Sequence, residues 1–367
     1  MKYDFTTLMD RRGKDAIAVD GLGTGFAPAA PKEGFDAIPM WVADMNFPTV
    51  PVIPQAIIAR AQHPAYGYFD PSKAYYDAIL NWQYTRNGVT GLEPKHIGYE
   101  NGVLGGVISA LNCVCSRGGK VLVHSPTYIG FTRSLENNGY DIVHSPLVKD
   151  ENGVWRMDYA DMEQHLKNEK IHAAILCSPH NPCGRVWERE ELEQAMELFR
   201  KYDVFVVSDE IWSDILLNGH THIPTQSISE DARQRTAALY APSKTFNLAG
   251  LVGGYSPEGQ AWLDELREVL SGNVNFACSY IADRFEGVTC SKPEGTYMLF
   301  VDCTGWCRAH GKTIGELEHA LWDVGVAVQD GTMFHGSCHL RMNLASPRSR
   351  IEEAFRRMDE YVFNKKD

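Results

Sequence analysis

Residues 204–210 read Val-Phe-Val-Val-Ser-Asp-Glu, an apolar run without alternation that stops on two acids. Such a run describes a strand buried on both faces, the kind found in parallel sheets covered by helices. Working outward, the pattern repeats. The stretch HAAILCSPHNP (172–182) is an apolar strand that breaks at Pro179, and KVLVHSP (120–126) is another that ends at Pro126. A further strand surrounds DIVHSP (141–146), and AALYAPSK (237–244) reads as a short strand ending at Lys244. Between them lie helical patterns: one opened by Gly102 and running to Cys115, one from Thr127 to Asn138, and an amphipathic one from Glu188 to Tyr202. Alternating strands and helices predict an α/β fold around a mostly parallel sheet. Ligands of such sheets sit beyond the carboxyl ends of the strands. Four polar clusters fall at those ends: Ser125-Pro-Thr-Tyr128, Ser178-Pro-His-Asn-Pro182, Ser208-Asp-Glu210 and Ser243-Lys244. They predict one active site assembled from several loops.

Three regions follow from the composition. Residues 1–50 are rich in Gly and Pro and read as an extended arm that joins a small domain. Residues 51–254 form the large domain. Residues 255–367 read as a small α+β domain, with a helix in AWLDELREVLSGN (261–273), a strand in TYMLFVDC (296–303) and an amphipathic helix from about Ser349. The 367 residues are 44% hydrophobic and 22% charged, the balance of a soluble globular chain. A net charge of −12 argues against nucleic acid or an anionic membrane as partner. Met1 leads into a charged stretch without an apolar core, so no secretion signal is expected and the cytoplasm is the expected compartment. No apolar run is long enough to span a membrane. The nine cysteines are scattered, which predicts reduced thiols, with Cys113 and Cys115 in the core. His335, Cys338 and His339 are the one close His/Cys group. No second ligand set has zinc spacing, so no metal is expected.

Single residues carry chemistry only weakly. Lys244 lies just after an apolar strand, where desolvation lowers an amine's pKa and makes it a nucleophile toward an aldehyde; the plain alternative is a loop lysine. Asp209 ends a buried strand, where a carboxylate needs a partner such as a protonated pyridine nitrogen; the alternative is a helix cap. Asn181 sits in a turn fixed by Pro182 and Gly184. Gly102, Val103 and Leu104 begin a helix whose free N–H groups suit a phosphate. Tyr128 offers a ring for stacking on a flat cofactor. Arg341, in a strand-like run, has the fork that matches a carboxylate, with a surface salt bridge as the alternative.

Taken in order, NGV (101–103), SPTY (125–128), SPHNPCG (178–184), SDE (208–210), SKTFN (243–247) and LRMN (340–343) resemble the fold type I pyridoxal-5′-phosphate (PLP) enzymes. Pro39-Met-Trp-Val-Ala-Asp-Met-Asn-Phe47, Ala65-Tyr-Gly-Tyr68, His222-Ile-Pro224, Pro293-Glu-Gly-Thr-Tyr297 and Ser346-Pro-Arg-Ser349 narrow the resemblance. They are similar to segments of the MalY/PatB-type carbon–sulfur lyases of the class I/II aminotransferase family. That resemblance implies PLP as cofactor, Lys244 as its Schiff-base lysine and Asp209 as partner of the pyridine nitrogen. It implies Asn181 at the ring's phenolic oxygen, with Trp212 nearby, and Tyr128 stacked on the ring. Gly102, Val103, Leu104 and Ser243 are implied at the phosphate, and Arg341 at the substrate's α-carboxylate. Tyr68 is implied at the phosphate of a neighbouring subunit, hence a homodimer with shared sites. The activity implied is β-elimination from cystathionine or cysteine. An aminotransferase uses the same residues, and a non-catalytic regulatory protein that keeps the fold is the third reading. Trp212 departs from the histidine or tyrosine usual in the family, and Asn46 from an aspartate. After Leu251 the chain runs roughly 30 residues short of the family pattern, about one strand–helix unit.

Overall fold

The structure, a computed structural model, describes residues 2–68, 70–248 and 256–364. The arm leads into a two-residue strand, β1 (Ile38–Pro39). The central sheet then follows from β2 (Lys120–Ser125), β3 (Asp141–Lys149), β4 (Trp155–Met157), β5 (Ile171–Cys177), β6 (Phe205–Asp209) and β7 (Thr236–Leu239). Its order is β4-β3-β2-β5-β6-β7. All neighbours are parallel except β4, which runs antiparallel to β3. The unbroken apolar runs are explained by what covers them. Leu122, Ala174, Leu176 and Val206 meet Leu192, Ala195, Met196 and Phe199 of the helix Arg189–Lys201. Val121, Val123, Ala173, Ile175, Cys177 and Val207 meet Val107, Leu111, Phe131 and Leu135 of the helices Val103–Val114 and Ile129–Asn137. Side chains alternate along a strand, so Asp209 shares the face of Val207, the one covered by the helices Val103–Val114 and Ile129–Asn137. Cys177 pairs with Asp209 and Asp209 with Leu239, so these three strand ends lie level.

The C-terminal part adds β8 (Thr289–Cys290), β9 (Met298–Asp302), β10 (Val326–Ala327), β11 (Gln329–Asp330) and β12 (His339–Asn343). An antiparallel sheet runs β11-β12-β9-β8, and β1 pairs parallel with β10. Phe5, Met40, Met45 and Phe47 of the arm share one core with Trp262, Leu266 and Leu270 of the helix Pro257–Arg284 and with Leu299 and Val301 of β9.

Three expectations need correction. The strand before Lys244 ends at Leu239; Pro242 opens a separate helical turn, Pro242–Thr245, that carries the lysine. The helix expected over 261–273 spans 28 residues. Ser-Gly-Asn at 271–273 looks like a stop, yet Asn273 is a core residue whose amide donates to the carbonyls of Leu344 and Ser346, each at 2.9 Å. Cys115 is buried as expected, whereas Cys113 is exposed. The shortened stretch after Leu251 lies outside the described residues. Among those residues no helix is long and apolar enough to cross a membrane.

Candidate active site

The lysine turn is anchored on both sides. Thr245 is buried and its hydroxyl donates to Asp214 Oδ2 at 2.8 Å, a carboxyl that also accepts from Trp82 Nε1 at 3.1 Å. Asn247 donates to Asp44 Oδ1 at 2.7 Å and accepts the Met45 N–H at 3.2 Å. These bonds fold segment 43–46 over Lys244. Lys244 Nζ donates to the Ala43 carbonyl at 3.1 Å and stands 5.5 Å from the centre of the Trp212 ring. Burial lowers the lysine's pKa to about 8, helped by the charge of Arg341 and opposed by Asp209 and Asp44. At neutral pH an appreciable fraction of the amine is therefore unprotonated.

Asp209 is buried and accepts the Ile211 N–H at 3.1 Å. Burial raises its pKa to about 7 against the pull of Lys244. A carboxyl in this state gains from any cation brought beside it. Tyr128 holds the N-cap position of the helix Ile129–Asn137. A Cβ at residue 130 would lie 2.3 Å from the Tyr128 ring and 3.0 Å from Leu104, so Gly130 lets the ring close on the start of the helix Val103–Val114. Gly102 precedes that helix with φ +86°, a conformation that favours glycine, and it has no side chain with which to cap the N–H groups beyond it. The same helix approaches β7 closely, since a Cβ on Gly106 would lie 3.1 Å from the Leu239 side chain. The chain runs from there to Ser243.

Arg341, on β12, is buried. Its guanidinium donates to the Trp41 carbonyl at 3.1 Å, to Gln329 Oε1 at 3.2 Å and to Asn181 Oδ1 at 3.5 Å, and lies over the Phe334 ring at 4.6 Å. Among the described residues no carboxylate pairs with it and its Nε has no hydrogen-bond partner. Burial lowers its pKa to about 10, so the charge persists at neutral pH. A buried cation without a counter-ion is costly, and an incoming carboxylate relieves that cost. Arg341→Ala is accordingly expected to raise KM for an amino-acid substrate by about 10- to 100-fold, the worth of a charged hydrogen-bonded contact. An unchanged KM in steady-state kinetics would remove Arg341 from the substrate site.

Lys244, Asp209, Asn181, Tyr128, Trp212 and Arg341 thus converge, with charge coupling among Lys244, Asp209, Tyr128 and Arg341. Tyr68 stands apart, fully exposed. Sequence reasoning missed Ala43, Asp44, Asn247, Phe334 and Gln329. It also missed Tyr297, buried edge-on to Trp212 at 4.8 Å, whose hydroxyl has no hydrogen-bond partner among the described residues. Ala43, Asp44, Asn247 and Tyr297 did lie in quoted motifs, the only available signal.

A desolvated lysine and a buried acid at the carboxyl edge of a mostly parallel sheet define a lysine-centred α/β enzyme of fold type I. Comparison with known proteins agrees. The family model "Aminotransferase class I and II" matches residues 38–273. Cystathionine beta-lyase PatB of Bacillus subtilis is 31% identical over 393 positions, covering 97% of this chain and 98% of its own. Those 393 positions exceed the 367 residues of this chain, so the alignment contains gaps on its side. Protein MalY of Escherichia coli is 27% identical, covering 96% of each chain. The PLP-bound C-S lyase of Staphylococcus hominis superposes with a TM-score of 0.88 at 27% identity, covering 98% of each chain. The chain belongs to the class I and II aminotransferase family.

Proposed function

We propose that this chain is a PLP-dependent carbon–sulfur lyase that eliminates a thiol from a sulfur amino acid such as cystathionine or cysteine, leaving pyruvate and ammonia. The observation that carries the reading is the buried guanidinium of Arg341, without a carboxylate partner among the described residues, close enough to Lys244 for its charge to depress that amine. The residues fit PLP: an amine for its aldehyde, an acid for its ring nitrogen, a ring at Tyr128 and uncapped N–H groups at Val103 and Leu104 for its phosphate. When bound, the cofactor supplies an electron sink for charge developing at the substrate's Cα. The protein does the rest. Arg341 fixes the α-carboxylate and so orients the Cα–H bond. Lys244 Nζ takes the Cα proton as general base. Asp209 holds a proton on the ring nitrogen through a charge-assisted hydrogen bond. Trp212, Tyr128 and Phe334 exclude water around these groups. The test is pyruvate formation from L-cystathionine by the PLP-loaded protein without any added 2-oxo acid. Amino transfer that depends on a 2-oxo acid, with no pyruvate in its absence, would overturn the lyase reading.

A homodimer with shared sites is part of the proposal. Ile57, Ile58, Tyr66, Tyr68, Tyr84 and Tyr99 are large apolar or aromatic side chains left exposed between residues 57 and 99, which a second copy could cover. Tyr68→Phe is expected to weaken PLP binding about tenfold or more, the worth of one hydrogen bond to a charged group, while sedimentation still finds a dimer. A fully active monomer would defeat it.

A further inference from the structure

The C-terminal part holds two thiols in contact that the chemistry above does not use. Cys278 lies in the helix Pro257–Arg284 and Cys290 in β8, and their sulfurs stand 3.7 Å apart, Cys290 donating to Cys278. Neither is fully buried. We propose that Cys278 and Cys290 form a redox modification site that reacts with a hydroperoxide and closes into a disulfide.

Geometry and charge divide the roles. Disulfide sulfurs sit roughly 2.05 Å apart, so closure needs a shift of under about 2 Å between a helix and a two-residue strand. The turn between them is already fixed by the Trp306 N–H donating to the Gly287 carbonyl at 2.8 Å. The hydrogen bond from Cys290 and the nearby charge of Lys292 both favour the thiolate on Cys278 and lower its pKa. Cys290 is held protonated, chiefly by the same bond. By contrast, burial raises the pKa of Cys177, Cys183 and Cys303. Cys278 sulfur therefore attacks a peroxide oxygen; the O–O bond breaks and the departing hydroxide is protonated to water. Cys290 sulfur then attacks the sulfenic sulfur. The S–S bond forms, the S–O bond breaks, and the leaving hydroxide takes the Cys290 proton as a second water. Two thiols are oxidised by two electrons in all and one hydrogen peroxide is reduced to two waters.

The link reaches the active site through the next residues. Ser291 Oγ donates to the Gly153 carbonyl at 2.6 Å, and the N–H groups of Glu294 and Gly295 donate to the Gly184 carbonyl at 2.8 and 3.0 Å. Gly184 closes the turn that carries Asn181. Oxidation would thus tether the segment that braces that turn. The inference does not rest on the lyase reading.

The test uses the full PLP-loaded chain carrying Cys113→Ser, which removes the exposed thiol. It is treated with excess hydrogen peroxide, blocked with N-ethylmaleimide and digested without reductant. The expected result is loss of the mass of two hydrogens and a peptide pair joining 278 to 290. In Cys290→Ser that pair disappears and dimedone traps a sulfenic acid at Cys278. Recovery of both cysteines as maleimide adducts after oxidation would overturn the proposal. So would a dominant link between Cys307 and Cys338, a second pair of hydrogen-bonded thiols.

Discussion

Lys244→Ala is expected to abolish measurable pyruvate formation, with loss of the general base alone accounting for about 10²–10⁴-fold. The expectation rests on position. Lys244 is the lysine whose amine is desolvated between Trp212, Ala43 and Asp209, and its pKa falls to about 8 for that reason. The sign follows directly: as pH rises through 8 the amine loses its proton and becomes both nucleophile and base. The anchors at Thr245 and Asn247 do not involve the lysine side chain, so the variant should fold, losing only the bond from Nζ to the Ala43 carbonyl. Borohydride treatment of the PLP-loaded wild type should leave the cofactor covalently on residue 244, as read by peptide mapping. Label at any other lysine would move the site.

The sheet was legible because burial on both faces leaves a period-free apolar run, as in β5 and β6, and because polar residues at the strand ends break it sharply. The site was legible only as a set. Asp209 alone reads as a helix cap, yet no helix follows it: the Ile211 N–H it accepts belongs to a turn, and what distinguishes the residue is burial, which raises its pKa. The contacts that complete the site were not legible, since they join residues far apart in the chain. Lys244 meets Ala43 across 201 positions and Asn247 meets Asp44 across 203. No local pattern encodes such pairings. That no acid among the described residues pairs with Arg341 is likewise a property of the folded surroundings. Asn46 departs from the family's aspartate and accepts from Arg11 Nη1 at 3.2 Å, while Arg11 also pairs with Asp44. A neutral amide suffices there because Asp44 supplies the charge. Lys244 was misplaced at a strand end because Ala237 to Tyr240 runs into Ala-Pro without a polar break, although Pro242 fits the first turn of a helix.

Asp209→Ala should separate catalysis from folding. The carboxyl has two roles, and each has its own magnitude. In the folded chain it accepts one N–H, from Ile211 in the following turn, and losing such a bond costs about 1 kcal/mol. That is small beside the roughly 5–15 kcal/mol that holds a domain together. As the proposed partner of a cationic ring nitrogen it would be a preorganised electrostatic group, whose loss typically lowers turnover by about 10²-fold or more. Linkage supplies a second readout. Burial raises the folded-state pKa from 3.8 to about 7, so between those values the folded protein keeps a proton that the unfolded chain releases. Stability contributed at this residue is therefore greatest at low pH and falls as pH rises through that window. Alanine removes the ionisation, so the cofactor-free variant should gain relative to the wild type between pH 5 and 8, measured by chemical denaturation at each pH. The expected pattern is a large drop in kcat, a small change in stability at pH 5, and a difference that moves in the variant's favour at pH 8. Near-normal turnover with a pH-independent loss of stability would reduce Asp209 to a carboxyl that only holds the turn at Ile211.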